Sequence, residues 1–445
     1  IALSDSGITV DGAAISDDET AAVYAAQDIV YYEEGQGVAY GAGTDADAHS
    51  QEEADAHTVV HITQPGTYTL SGTLSAGQIA VDLGDGAEED PEAVVTIVLD
   101  GVDITCTVAP AIIFYRVYEC GSADMETATQ TVDTSAAGAN VVIADGTENR
   151  VTGSHVAKIY KPESVTLNAD GTAVEEAKKL HKYDGALYSK MSMNVSGGEA
   201  GTGTLEIVAD NEGLDSELHL TINSGNIHIL ARNDGINTNE DGVSVTTING
   251  GTLRIEVTGE AGEGDGIDSN GWLVINGGTV IAAACSDSAD SGLDSDNGIY
   301  INGGIVIASG NMYDAVDGGD QTYAVFQFAQ KQSGGQTYTL KNAAGETVLE
   351  MTPENAFQYL VVSAPGLAEG EYTLWCGDTQ LGGSTGSVGG PSGGMGRPDG
   401  QPPEGAPGQK PEGADDGQQP PEPPADGRRP EGGPNDAMDG GNSAD

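Results

Sequence analysis

The sequence predicts an all-β protein built as a parallel β-helix, and three observations predict it. Aromatic residues make up only 5% of the chain while 66 of its 445 residues are glycine, which disfavours a globule assembled around large side chains and favours thin layers separated by turns. Short β-rich runs alternate with Gly, Asp and Pro turns, and almost nothing carries the period of a long amphipathic helix. Most tellingly, one short motif and one turn recur together through the middle of the chain.

Taken in order, residues 1–57 form an acidic N-terminal segment with 13 acids and no Lys or Arg. One helix-like stretch, 46–57, carries Glu52 and Glu53; His49 and His57 beside Asp45 and Asp47 are read as a solvated acidic helix rather than a metal site. The β-helix is expected over 58–319, opening with β runs at 59–63, 67–70, 78–83, 94–99, 112–117 and 140–143, with a short helix at 173–180 in an inserted loop. Residues 320–382 are expected to form a small C-terminal β cap. Residues 383–445 hold 17 Gly and 12 Pro and no Phe, Trp or Tyr, too little apolar surface to offset the ordering entropy, so a disordered tail is expected there.

The repeat carries the fold. Five segments align: Ala186-Leu187-Tyr188-Ser189, Gly213-Leu214-Asp215-Ser216, Gly235-Ile236-Asn237-Thr238, Gly266-Ile267-Asp268-Ser269 and Gly292-Leu293-Asp294-Ser295, with a degenerate sixth at Ala315-Val316-Asp317. Their starts lie 27, 22, 31, 26 and 23 residues apart. Each leads to a small-residue turn such as Asn249-Gly250-Gly251, Asn276-Gly277-Gly278 or Asn302-Gly303-Gly304. A unit of two or three short strands cannot bury its apolar side alone, but stacked units can. Leu218, Leu220, Ile222, Ile227 and Ile229 then face the interior, followed by Leu273, Ile275, Val280 and Ala282, with about 4.8 Å between successive rungs.

Stacking also brings like charges together. The third motif position reads Tyr188, Asp215, Asn237, Asp268, Asp294, Asp317, and the position before the motif reads Gly185, Glu212, Asp234, Asp265, Ser291, Asp314. Unit charges that close repel by about 0.9 kcal/mol in water and about 3.5 kcal/mol at an effective dielectric of 20. Divalent cations relieve that repulsion, and ligand oxygens from Asp, Glu and Asn favour Ca²⁺ over zinc or copper. The expected ligands are Glu212, Asp215, Asp234, Asn237, Asp265, Asp268, Asp294 and Asp317; the competing reading makes them solvent-facing turn formers.

The run 183–309 (YDGALYSK, NEGLDS, NDGINTNEDG, GDGIDSNG, DSGLDSDNG), with ITQPGTYTLSGTLSAGQIAVDL before it and AVFQFAQKQ to GEYTLWCGD after it, resembles a family of secreted bacterial carbohydrate-binding domain-containing β-helix proteins. The likeness covers roughly residues 58–381. It implies a right-handed parallel β-helix related in shape to pectate lyases, calcium on the rungs, binding to cellulose-like and acidic plant polysaccharides, and secretion or attachment to the cell surface. It supports Asp215, Asp234, Asp265, Asp268 and Asp294 as acidic turn residues, whereas Tyr188 departs from the acidic pattern.

Charge narrows the partners. With 70 Asp+Glu against 16 Lys+Arg the net charge is −54, and the first basic residue is Arg116; nucleic acid and anionic membrane surfaces are therefore excluded as partners. No apolar run reaches the roughly 20 residues that span a bilayer, so no membrane insertion is expected. The chain begins at Ile1 rather than Met, as it would after removal of a leader. Of the four cysteines, Cys106 and Cys120 are close enough in sequence to pair, and Cys285 reads as a small core residue.

Outward positions supply the sugar-binding candidates. His228 and Arg254 are equivalent positions one rung apart, followed by Ile281 and Ile307, while His219 matches Trp272. Trp272, Tyr300, His228, Arg254 and Lys190 are the substrate-binding candidates, and calcium is expected to bridge the acidic protein to uronate carboxylates. Three readings fit: a non-catalytic polysaccharide-binding protein, a calcium-dependent polysaccharide lyase, and a self-assembling surface or matrix protein. Lyase chemistry needs a base of lowered pKa, and acidic columns beside Lys190, Arg232 or Arg254 raise it instead. No catalytic residue is assigned.

Overall fold

The structure is a computed structural model that describes residues 1–262, 264–381 and the backbone of 387–389. Nearly all its regular structure is strand; among the described residues the one α-helix is Gln51–Asp55. Most strand pairs within the repeat are parallel, and they fall into three ladders in which each strand pairs with its counterpart one repeat later.

The first ladder runs through Thr58–Ile62, Gly77–Asp82, Ile112–Arg116, Gly185–Ser189, Glu212–Ser216, Ile236–Thr238 and Ile267–Ser269. The second takes the opening halves of Gly66–Leu74 and Val95–Thr105, then Ala139–Ile143, Met193–Gly197, His219–Ile222, Val245–Ile248, Trp272–Ile275 and Gly298–Ile301. The third takes the closing halves of those two long strands, then Glu148–Gly153, Thr204–Ala209, Asn226–Ala231, Thr252–Val257, Thr279–Ala283 and Ile305–Gly310. All six runs expected between 59 and 143 are strands, with boundaries shifted by a few residues.

Register explains the core. On the first ladder Val60, Ile79, Ile112, Leu187, Leu214, Ile236 and Ile267 are successive partners, and each is fully buried. Burying one such side chain contributes about 1.5–3 kcal/mol. The turns require glycine for two reasons at once. Gly251, Gly278 and Gly304 have φ of 86°, 82° and 87°, and a Cβ on them would lie 2.5, 2.7 and 2.6 Å from the carbonyl oxygens of Gly225, Gly251 and Gly278. Beside them Asn249 Nδ2 donates to Asn223 Oδ1 at 3.0 Å, Asn276 to Asn249 at 2.9 Å and Asn302 to Asn276 at 2.8 Å. The recurring Asn-Gly-Gly string is thus an amide ladder beside a column of glycines that pack backbone on backbone.

Several expectations are revised. Residues 1–57 are joined to the ladders: Val23–Ala26 pairs antiparallel with Thr58–Ile62, and Ala2–Leu3 runs parallel to Ser71 and Gly72. The helix expected over 46–57 shortens to Gln51–Asp55, capped by Ser50. The helix expected at 173–180 is absent. Val174–Glu176 pairs with Thr166–Leu167, and Lys179–Tyr183 pairs with Val156–Tyr160, forming a β arm. The Asn168 side chain binds the backbone N–H of Thr172 and Ala173, and Gly171 has φ of 67°; such a turn folds the chain back into strand pairing, whereas an eight-residue helix is marginal. Cys106 and Cys120 are both free thiols.

The C-terminal cap forms from Tyr323–Gln332 and Phe357–Ser363, which pair antiparallel, the latter also closing on Ile305–Gly310. A four-stranded antiparallel sheet of Thr347–Met351, Tyr338–Asn342, Tyr372–Cys376 and Thr379–Gln380 adjoins them in sequence. Their core of Phe326, Phe328, Phe357 and Leu360 covers Ile281 and Ile307 of the third ladder, which explains why that outward column turns apolar. Of the tail expected over 383–445, Ser387–Gly389 is described as a short strand pairing with Tyr323 to Val325; the remainder lies outside the described residues.

Candidate functional site

The first ladder places the acids in the expected column: Tyr188, Asp215, Asn237 and Asp268 are direct partners, and Asp294 N donates to Ile267 O one step further on. The adjoining column also holds, with Asp265 N donating to Asp234 Oδ1 at 2.7 Å and Ser291 N to Asp265 Oδ1 at 2.6 Å. These groups do not face solvent. Glu212, Asp215, Asp234, Asn237, Asp265 and Asp268 are each at most 6% exposed. Asp317 does not extend the column: Val316–Gly318 pairs with the second ladder, and Asp317 Oδ2 accepts from Ile299 N at 3.1 Å.

The column separates into two clusters. In the later one, Asp265, Asp268 and Asp294 each bring a carboxylate oxygen within 4.8 Å of the others. Burial, reinforced by Asp234, Asp294 and Asp268, holds the Asp265 carboxyl well above its ordinary range. An all-oxygen set of converging carboxylates suits a hard divalent cation such as Ca²⁺, with further oxygens from turns or water.

The earlier cluster is built differently. Lys182, delivered by the β arm, places Nζ 2.8 Å from Asn239 Oδ1 and 3.5 Å from Asp184 Oδ2. Asn239 Nδ2 donates to Asp215 Oδ1 at 2.7 Å, and Asn237 Nδ2 donates to Glu212 Oε1 and to Asn239 Oδ1, each at 3.0 Å. Tyr188 donates to Glu217 at 2.7 Å. Burial, and then Asp184, pushes Glu212 up to about 7, and burial with Glu212 and Glu217 lifts Asp215 well above the carboxylate range. Burial works against the Lys182 ammonium, yet the carboxylates of Asp184, Glu212, Asp215 and Glu217 hold its pKa above the usual lysine value. Lys182, Asp184, Glu217 and Asn239 escaped the sequence reading. The one available signal was the basic string Lys178, Lys179, His181, Lys182 directly before the first motif of so acidic a chain.

A groove of about 570 Å³ lies on the outer face of the second ladder. Its floor is one register column, Asn140, Asn194, Thr221, Thr247, Val274 and Tyr300, flanked by the asparagine ladder of Asn223 to Asn302. The loop that connects Ile112–Arg116 to Ala139–Ile143 lies over one end. Thr134 Oγ1 is 2.8 Å from Asn194 Oδ1 and 2.7 Å from Thr221 Oγ1, and Asn194 Nδ2 donates to Thr134 O at 2.7 Å. Of the sugar-binding candidates, Tyr300 lines the groove. Trp272 is half-buried in the neighbouring column, where Val245 separates it from His219. The other three lie elsewhere: Arg254 is ion-paired with Glu354 of the cap, Lys190 faces Glu88 at 3.6 Å, and His228 sits beside Arg254 on the third ladder. Among the described residues no helix is long and apolar enough to cross a membrane.

A family model described as "Carbohydrate-binding domain-containing protein" matches residues 56–347. The chain belongs to that family. A carbohydrate-binding domain-containing protein of Acetivibrio thermocellus is 31% identical over 173 residues, 39% of this chain and 45% of the relative, so the match spans less than half of that protein. A solved polysaccharide lyase-like protein from C. thermocellum, in a gadolinium derivative, is 26% identical over 55% of this chain and 83% of its own, at a TM-score of 0.36. That structural likeness is too weak to carry fold or activity across. The family membership and the groove are independent of it.

Proposed function

We propose that this member of the carbohydrate-binding domain-containing family is a right-handed parallel β-helix, secreted or held at the cell surface, that binds a polysaccharide without cleaving it, in the groove on its second ladder. The observation that carries this reading is the groove's floor, an uncharged register column in which Thr247 and the Tyr300 ring stay partly exposed beside the asparagine ladder, while Asn194 and Thr221 are buried under Thr134. Hydroxyl-rich sugars are recognised by such amide and hydroxyl groups, with an aromatic face packing against the ring. The lining suits a neutral, cellulose-like glucan better than a polyuronate, since it offers no Lys or Arg. The same lack leaves no Lys or Arg in the lining to take the proton in lyase chemistry.

Calcium enters this reading as a structural ion. Asp265, Asp268 and Asp294 would hold it, and it would neutralise carboxylates that otherwise repel one another. Because Asp265 and Asp268 are buried on the first ladder, such an ion would not reach a sugar in the groove, and bridging to uronate carboxylates is not favoured. The test is retention on insoluble glucan and on polygalacturonate, with and without EDTA, for the native chain and for Tyr300→Ala. The expected outcome is glucan binding that survives short chelation and weakens several-fold in the variant, by about 1 kcal/mol for one lost aromatic contact. Unsaturated products from either polymer, or glucan binding indifferent to Tyr300, would overturn it.

A further inference from the structure

The earlier acid cluster has the parts of a reaction that no sugar takes part in. Lys182 Nζ lies 2.8 Å from the side-chain carbonyl oxygen of Asn239. That same oxygen receives a second hydrogen bond from Asn237 Nδ2 at 3.0 Å, so two donors polarise one amide carbonyl. The amide nitrogen of Asn239 donates to Asp215 Oδ1 at 2.7 Å. Asp215 Oδ2 and Glu212 Oε2 are buried without hydrogen-bond partners, and the two residues are 0% and 4% exposed. Two buried carboxyl groups with orphaned oxygens and a mutual contact are the arrangement in which one proton is shared between them. A nucleophile, a polarised carbonyl, a donor to its oxygen and an acid at its leaving nitrogen are therefore assembled around one asparagine.

We infer that Lys182 and Asn239 form an intramolecular isopeptide bond, with Asp215 and Glu212 as the carboxyl groups that move its protons. The ammonium first passes a proton to the carboxyl pair, and the free amine attacks Asn239 Cγ. Charge on Oδ1 is taken up by the Asn237 N–H. The attacking nitrogen, left with one proton too many by the new C–N bond, gives it to the carboxyl pair. As the Cγ–Nδ2 bond breaks, the Asp215 carboxyl protonates the departing nitrogen, so the pair ends holding the proton that the ammonium brought. One amine and one primary amide become one secondary amide and one ammonia; nothing is oxidised or reduced, and no cofactor is consumed. At rest the neighbouring carboxylates keep Lys182 charged, so the amine is freed only as its proton passes to Glu212 or Asp215, whose carboxyl groups burial has made better proton acceptors. The bond would fasten the β arm of Val156–Tyr160 and Lys179–Tyr183 to the turn after Ile236–Thr238.

Mass spectrometry decides the matter on the native full-length chain. Its denatured intact mass is expected to fall short of the sequence mass by one ammonia. A tryptic digest is expected to contain one branched peptide joining the Lys182 and Asn239 segments, with no cleavage after Lys182. Lys182→Arg and Asn239→Ala should each restore the full mass, and Asp215→Ala, checked for native circular dichroism, should leave Lys182 and Asn239 unlinked. Full sequence mass with ordinary cleavage after Lys182 overturns the inference. So does an ammonia deficit on a linear peptide, which marks a succinimide, or the small gain of simple deamidation.

Discussion

The two acid clusters sit on one register column, at Asp215 and at Asp268, separated only by Asn237, yet they are neutralised by different means. Around Asp215 the chain supplies its own cation, Lys182, on an arm inserted before Gly185–Ser189. Around Asp268 the carboxylates of Asp234, Asp294 and Asp268 all raise Asp265, a crowding that a proton or a bound cation would relieve. The same stacked geometry thus creates one site that is closed by covalent sequence and one that answers to the solvent. The lesson is that a column of identical acids in a repeat protein is not a column of identical sites.

That contrast breaks most visibly at Lys182. Lys182→Met removes the ammonium and leaves buried carboxylates uncompensated, a loss of roughly 3–5 kcal/mol, read as a lowered urea midpoint; an unchanged midpoint would mean the lysine is incidental. The effect of pH is next in size. Glu212 has an ordinary value of 4.5 and is pushed up to about 7 when folded. A raised folded value means that its contribution to stability is full below about 4.5 and is lost as pH rises through 7. Chelated protein should therefore melt at a lower temperature at pH 8 than at pH 5, by up to about 3 kcal/mol. A rise over that interval would contradict the burial of a neutral carboxyl.

At the later cluster the expected effect is smaller and of opposite character. Calcium at a hundredfold excess over its dissociation constant should stabilise by about 2.7 kcal/mol, and Asp268→Asn should abolish that gain while making the chelated protein no less stable, since it removes one of the crowded charges. Scanning calorimetry with calcium and with EDTA separates the two. A calcium response that survives Asp268→Asn, or that disappears with Lys182→Met instead, would exchange the roles assigned to the clusters.

Much of this architecture was legible because the repeat imposes register. Counting from one motif glycine to the next placed Tyr188, Asp215, Asn237 and Asp268 in line, and predicted His228 opposite Arg254 and Ile281 opposite Ile307, all as found. What counting misses is whatever leaves the repeat. The arm that carries Lys182 comes from an insertion, so its partner Asn239 is 57 residues away and no periodicity links them. The loop seating Thr134 on Asn194 and Thr221 is likewise an insertion, and with it went the lower half of the groove. Asp317 falls outside the column because after Ile305–Gly310 the chain drops its first-ladder strand and goes directly to the second, a change hidden by a motif spacing of 23 residues that lies inside the range of the other rungs. The sequence leaves Arg254 free to meet a sugar because nothing local reveals Glu354, which reaches it from the cap.

The glycine column has a consequence for how such a protein changes in length. Because each turn rests its bare α-carbon on the carbonyl of the turn beneath, adding or removing a few residues inside a rung would throw every later turn off its seat. Duplication or loss of an entire period preserves all of those contacts, so relatives are expected to differ by whole periods and by excursions such as the arm, and hardly ever by fractions of a rung.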